Sequence, residues 1–232
     1  MNTITGVNSA GIGKKVVKSQ SFILLIIIVA LSVVVGIINH NFFTTSNLFA
    51  IFQQIAVLGI VTMGVTLLLI SGFIDLSVGG MISLTCVIFV KMTVGGTDIA
   101  ISVIVSVLIC IAMGFLNGVI VSKSKCPPLI ITLGMSYVYN GISLILTAGT
   151  FIALKGDFSY LGRGTIADIP VSMILFVAVT IITFIILKYT RYGRRITAMG
   201  GNMEVTFLSG VNTGNYQIAN YSLCGAFMAL AS

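Results

Sequence analysis

From Ser19 to Ile74 the chain carries no Asp, Glu, Lys or Arg. A soluble domain carries about 25% charged residues, and a stretch this long without one has nothing to present to water. A bilayer core about 30 Å thick is crossed by roughly 20 apolar residues in helical form, so the stretch has room for two crossings. The remainder of the chain repeats the pattern. Of 232 residues, 57% are hydrophobic and 7% are charged, and the mean hydropathy is +1.17. Twelve Lys or Arg and five Asp or Glu cannot coat a soluble globule. A soluble enzyme, a nucleic-acid-binding domain and a disordered chain are thereby excluded, and an integral membrane protein remains.

Apolar periodicity predicts a first span at 20–38, preceded by Lys14, Lys15 and Lys18. It is too long for a signal peptide and no small-residue cleavage site follows, so it is read as an uncleaved span. Further spans are predicted near 48–70, 77–94, 99–121, 128–148 and 171–187, and a seventh begins near Tyr216. With the amino terminus inside, Lys14, Lys15, Lys18, Lys123, Lys125, Lys188, Arg191, Arg194 and Arg195 fall inside, and Lys91, Lys155 and Arg163 fall outside. That positive-inside bias accounts for most of the net charge of +7 without a nucleic acid partner. The expected fold class is all-α: a polytopic transmembrane helical bundle of about six complete spans plus a truncated seventh, amino terminus cytoplasmic. Residues 1–232 form a single membrane domain, in contact with membrane lipid, with a polar loop at 189–214 on the cytoplasmic side. A second loop, 149–170, faces outside and holds Lys155, Asp157, Arg163 and Asp168.

Chemistry-bearing residues are few. Cys86, Cys110 and Cys224 lie in apolar stretches and Cys126 precedes a Pro pair; no spacing suggests a metal. His40 follows the first apolar run, as an interfacial residue would. No Walker-type glycine loop is present, so no catalytic residue is expected and any ATP hydrolysis belongs to another polypeptide.

Three segments stand out. The first is Ser71-Gly72-Phe73-Ile74-Asp75-Leu76-Ser77-Val78-Gly79-Gly80. A carboxylate near hydrocarbon costs about 2.5–3.5 kcal/mol on insertion scales, so Asp75 needs a reason. Asp75 or Ser77 can cap the next helix, in a turn on the cytoplasmic side. Alternatively the segment is a discontinuous helix at membrane depth that lines a polar pathway. The second segment holds Asn117, whose amide must find partners across helices, and Pro127-Pro128 with Thr132 and Gly134. Helix packing is the simpler role for Asn117, Thr132 and Gly134; substrate contact is the sharper one. The third is the loop 190–212. Gly200-Gly201-Asn202 reads as a turn with Asn202 as a cap, followed by a short helix over 203–208 that Gly210 ends. Its apolar Met203, Phe207 and Leu208 share one face, suited to a groove on a partner or to the membrane surface.

At these three segments the chain resembles the membrane subunits of bacterial ATP-binding-cassette importers for simple sugars, the ribose, galactose and xylose permease family. Gly72-Phe73-Ile74-Asp75-Leu76-Ser77-Val78-Gly79 is similar to that family's G-x-I-D-L-S-V-G signature. Asn117-Gly118 followed by Pro128-Leu129-Ile130-Ile131-Thr132-Leu133-Gly134 resembles its N-G…P-x-I-x-T-L-G segment. Gly193-Arg194, Ala198-Met199-Gly200-Gly201-Asn202 and Ser209-Gly210 resemble its cytoplasmic loop.

The resemblance implies a multi-pass protein of the bacterial cytoplasmic membrane that does no covalent chemistry and binds no cofactor or metal of its own. A separate ATPase, carrying ATP and Mg, docks on the loop at Gly193, Arg194, Gly200, Gly201, Asn202, Glu204, Phe207 and Gly210. An extracytoplasmic sugar-binding protein delivers a ribose-like monosaccharide, and a second permease copy or a paralogue completes the pathway. Asp75, Ser77, Asn117 and Thr132 are the candidate pathway residues. Val205 and Thr206 stand where the family often has two alanines. Family members continue for further spans, so the chain is expected to be part of a longer protein. The competing readings are an ion-coupled secondary transporter, for which Asp75 is the one candidate coupling group, and a truncated permease that closes no pathway.

Overall fold

The computed structural model describes residues 20–124, 126–154, 164–166 and 169–232. Lys14, Lys15, Lys18, Lys125, Lys155, Asp157, Arg163 and Asp168 lie outside the described residues, as does much of the 149–170 loop. Two compact units are present, Met1–Ile51 and Phe52–Ser232. Among the described residues there are nine helices and two short strands.

The first unit contains α1, Gln20–Ile38, and the start of α2, Thr45–Ile70. The large apolar side chains of α1 from Ile23 to Ile38 are exposed, as suits a helix whose surroundings are hydrocarbon. Between the two helices the chain turns on its own polar groups. Asn41 N–H donates to Asn39 Oδ1 at 3.0 Å, and Asn47 Nδ2 donates to the Phe42 carbonyl at 2.7 Å.

In the second unit, α2 continues to Ile70 and is followed by α3 (Val78–Val94), α4 (Ile99–Lys123) and α5 (Pro128–Thr147). Strands β1 (Thr165–Ile166) and β2 (Ile169–Pro170) pair antiparallel and lead into α6 (Val171–Tyr189). Then come α7 (Arg191–Gly201), α8 (Met203–Leu208) and α9 (Thr213–Ala231). The helical expectation holds, with one small addition. The pair of two-residue strands sits in the 149–170 loop, where four residues are too few to leave an alternating pattern.

Four helices, α2, α4, α5 and α6, are long and apolar enough to cross a membrane by length and composition. The apolar stretches Phe22–Ile38 and Val78–Val94 are shorter. Helix α9 is a less apolar element, because it buries Gln217, Asn220 and Tyr221 against its neighbours.

The centre of the second unit is the antiparallel pair α4–α9. Gly114 and Gly118, four residues apart on α4, let the backbones meet. A Cβ at Gly118 would lie 2.8 Å from Ile218 Cα, and one at Gly114 would collide with the Tyr221 carbonyl. From the other side, a Cβ at Gly225 would be 2.6 Å from the Cys110 carbonyl oxygen. Small residues at this spacing give close packing without any hydrophobic drive, which hydrocarbon does not supply. Helix α3 packs on α4 and α5, and Lys91 Nζ ties the end of α3 to the Leu146 carbonyl near the end of α5 at 2.7 Å.

Candidate functional site: the 71–77 segment and the 189–214 region

Helix α2 stops because of Gly72. Its φ of +85° lets Phe73 N–H reach back to the Leu68 carbonyl at 2.9 Å, and Gly72 N–H to Leu69 at 3.1 Å. This is the two-bond left-handed cap for which glycine carries no Cβ penalty. The next five residues, Phe73 to Ser77, are neither helix nor strand, and Ser77 already has right-handed helical dihedrals where α3 begins. Ser71, Phe73, Asp75 and Ser77 are buried, while Gly72, Ile74 and Leu76 are exposed, the alternation that an extended segment imposes.

An extended segment has no intrahelical partners, so its polar groups must be satisfied from elsewhere. Tyr221 of α9 donates its hydroxyl to the Ile74 carbonyl at 3.0 Å. Leu76 N–H donates to Thr132 Oγ1 of α5 at 3.1 Å. Asp75 Oδ1 accepts from both Ser77 N–H at 2.7 Å and the Ser77 hydroxyl at 2.6 Å. Asn117 of α4 then donates to Ser77 Oγ at 2.7 Å, and Tyr139 of α5 donates to Asn117 Oδ1 at 2.8 Å.

The structure thus brings Asp75, Ser77, Asn117 and Thr132 together around one break, with exposures of 5%, 0%, 0% and 0%. Capping takes a different form from the one expected. Ser77 occupies the N-cap position of α3 without bonding the helix, because its hydroxyl turns back to the Asp75 carboxylate. The Asp75 carboxylate holds the turn itself. Its second oxygen, Oδ2, is buried and has no hydrogen-bond partner among the described residues.

Thr190 caps α7, accepting from Gly193 N–H at 3.0 Å. Gly200 and Gly201 lie inside α7, which corrects the expected turn at those positions. Close approach, not a bend, requires glycine at Gly200, where a Cβ would collide with the Ile70 carbonyl at the end of α2. Gly193 likewise packs against the backbone of Ile186 and Leu187. Helix α8 begins and ends as its sequence predicts. Asn202 Oδ1 accepts from Val205 N–H at 3.0 Å, and Gly210 follows the helix with a φ of +85°. Met203, Phe207 and Leu208 are 41%, 61% and 76% exposed. Arg194, Gly201, Asn202, Glu204 and Gly210 are exposed too, whereas Gly193 is buried.

Four aromatic and amide residues escaped the sequence reading: Tyr139, Tyr221, Tyr192 and Asn220. Tyr192 and Tyr216 lie ring to ring, 5.6 Å between centroids, and Arg195 stacks on and donates to Tyr216. Burial, with the neighbouring Tyr216 adding to it, pushes the Tyr192 phenol above its ordinary range and keeps it a proton donor. Tyr139 and Tyr221 lie in runs whose small and apolar neighbours mask them, and Tyr192 is hidden among the arginines of its loop. Asn220, mid-helix among apolar residues, offered the same signal that Asn117 did.

The chain matches the family described as "Branched-chain amino acid transport system / permease component" over residues 47–232. It is 34% identical over 204 residues to the ribose import permease protein RbsC of Bacillus subtilis, covering 87% of this chain and 63% of that one. Against RbsC of Escherichia coli K12 the identity is 33% over 219 residues, covering 92% and 67%. Against the autoinducer 2 import system permease protein LsrC of Photorhabdus laumondii it is 30% over 220 residues, covering 94% and 66%. The chain therefore spans about two thirds of the length of the curated relatives it matches. No solved structure matches.

Proposed function

Because the chain belongs to this family of transport-system permease components, whose ribose-import members are among its relatives, we propose that it is the transmembrane subunit of an ATP-binding-cassette importer for a ribose-like monosaccharide. The resemblance drawn from the three motifs points the same way. The observation that supports the reading is the non-helical segment 71–77, whose polar groups are met by side chains of α4, α5 and α9. Non-helical backbone between spans is tolerated where protein satisfies its polar groups or where it lines a polar cavity.

In this proposal the break forms part of the wall of the pathway. Asp75, Ser77, Asn117 and Thr132 hold its shape, and Ile74 and Leu76 face outward from it. Exposed polar side chains on α5 support the reading. Tyr137 is 73% exposed, and Asn140 is exposed in the middle of the helix. A polar face of this kind suits a pathway or a protein partner better than lipid.

The amino terminus is cytoplasmic, and six spans plus a seventh lie within these residues of a multi-pass protein of the bacterial cytoplasmic membrane. The 189–214 region docks the ATPase that carries ATP and Mg. Arg194, Gly201, Asn202, Glu204, Phe207 and Gly210 offer the contact surface. Gly193 and Gly200 act through the close packing that seats α7. An extracytoplasmic binding protein delivers the sugar, and a second copy or a paralogue completes the pathway.

The test is reconstitution of the full-length protein with its ATPase and binding protein in liposomes. ATP-dependent ribose uptake is expected, together with labelling of cysteines at Ile74 and Leu76 that changes with nucleotide. Labelling from the cytoplasmic side alone in every state would remove the pathway role of the break.

A further inference from the structure

Asn220 lies on α9 at 0% exposure and joins two other elements. Its Oδ1 accepts the Tyr192 hydroxyl of α7 at 2.6 Å. Its Nδ2 donates to Ser71 Oγ at 2.7 Å and to the Leu67 carbonyl at 3.3 Å, both at the end of α2. Chemistry fixes the amide's orientation. The Leu67 carbonyl can only accept, so Nδ2 must face it and Oδ1 must face Tyr192. Ser71 in turn donates to the Leu68 carbonyl at 2.8 Å, which leaves its lone pairs to receive Asn220. The result is a directed chain of donors from Tyr192 through Asn220 and Ser71 to Leu68.

A second contact runs beside it. Gly200, near the far end of α7, lies against the Ile70 carbonyl. Helix α7 thus grips the last turn of α2 twice, once by backbone contact and once through a buried amide. Leu68 and Gly72, where the grip ends, are the residues that close α2 and open the extended segment. Moving α7 alone would part the Tyr192 hydroxyl from the Asn220 carbonyl oxygen and leave that buried acceptor unpaired. The lower-energy response is for the break to follow.

We propose that Tyr192 and Asn220 are positioning residues, which transmit a displacement of the α7–α8 surface to the extended segment 71–77. This rests on the reading of α7–α8 as the ATPase-docking surface. Neither residue touches the sugar or the nucleotide; they act by making the loop and the break one body.

The test uses the full-length protein reconstituted with ATPase and binding protein, with ribose as probe. Tyr192→Phe removes one hydroxyl, and Ser71→Ala breaks the same chain at its other end. Each is expected to lower ribose uptake per ATP hydrolysed by roughly fivefold while the ATPase still co-purifies. The double variant is expected to be no worse than the poorer single one, because both cut one chain. Uptake per ATP unchanged in both variants, or additive losses in the double, would overturn the proposal.

The second readout is labelling of a cysteine at Ile74. Vanadate trapping should change its rate in the parent and not in either variant; the same change in all three would also overturn the proposal. Failure of the parent to retain its ATPase overturns the docking reading itself, and this proposal with it.

Discussion

Asn117 and Ser77, forty positions apart in sequence, meet at 2.7 Å between amide Nδ2 and hydroxyl Oγ. The same amide receives the Tyr139 hydroxyl on its oxygen, so three helices converge on one side chain. Replacing Asn117 with Leu keeps the volume and deletes both bonds. The loss is expected to be roughly 1–3 kcal/mol for each buried group left unpaired. A lowered melting temperature in detergent checks it, and an unchanged one would mean that the cluster relaxes at no cost.

Asp75 separates charge from hydrogen bonding. Asp75→Asn keeps the oxygen that accepts from Ser77 and removes a charge whose Oδ2 has no partner among the described residues. Melting is expected to be unchanged or raised, since a buried unpaired charge is costly. Asp75→Leu removes the acceptor and is expected to lower stability by about 1–3 kcal/mol. Equal loss in both variants would show that the charge itself is needed.

Glycine substitutions divide by what a Cβ meets. At Gly225 it would lie 2.6 Å from the Cys110 carbonyl, and at Gly134 it would meet nothing within 4 Å. Gly225→Ala is expected to cost about 1–3 kcal/mol through forced separation of α4 and α9. Gly134→Ala is expected to be neutral or mildly stabilising, because Ala is the better helix former by up to about 1 kcal/mol. Paired melting curves decide it; equal behaviour would contradict the backbone contact.

Phe207 and Leu208 test docking without disturbing the bundle. Both are exposed, at 61% and 76%, so changing them to Ser is expected to move stability by no more than about 0.5 kcal/mol. Co-purification of the ATPase is expected to fall at least tenfold. Full retention of the ATPase would place docking elsewhere.

The sequence is most informative where structure is local. Asn202 as cap and Gly210 as terminator delimit α8 from neighbours within three residues, and Gly72 announces the end of α2 in the same way. Asp75 stands out because nothing else charged lies near it in sequence. What stays hidden is long-range. Asn220 meets Leu67 across 153 positions, and no periodicity within α9 says which helix it will face. Gly200 misleads for the same reason. A glycine needed for close approach and a glycine needed for a turn look alike until the Ile70 carbonyl is in place.

The meeting of α4 and α9 through Gly114, Gly118 and Gly225 also limits how the protein can move. With carbonyls pressed into glycine notches, neither helix can slide along the other by even one residue without a collision. The pair is a keel. In the importer proposed above, access would switch sides by tilting that keel whole, or by swinging lighter elements such as the 71–77 segment about it.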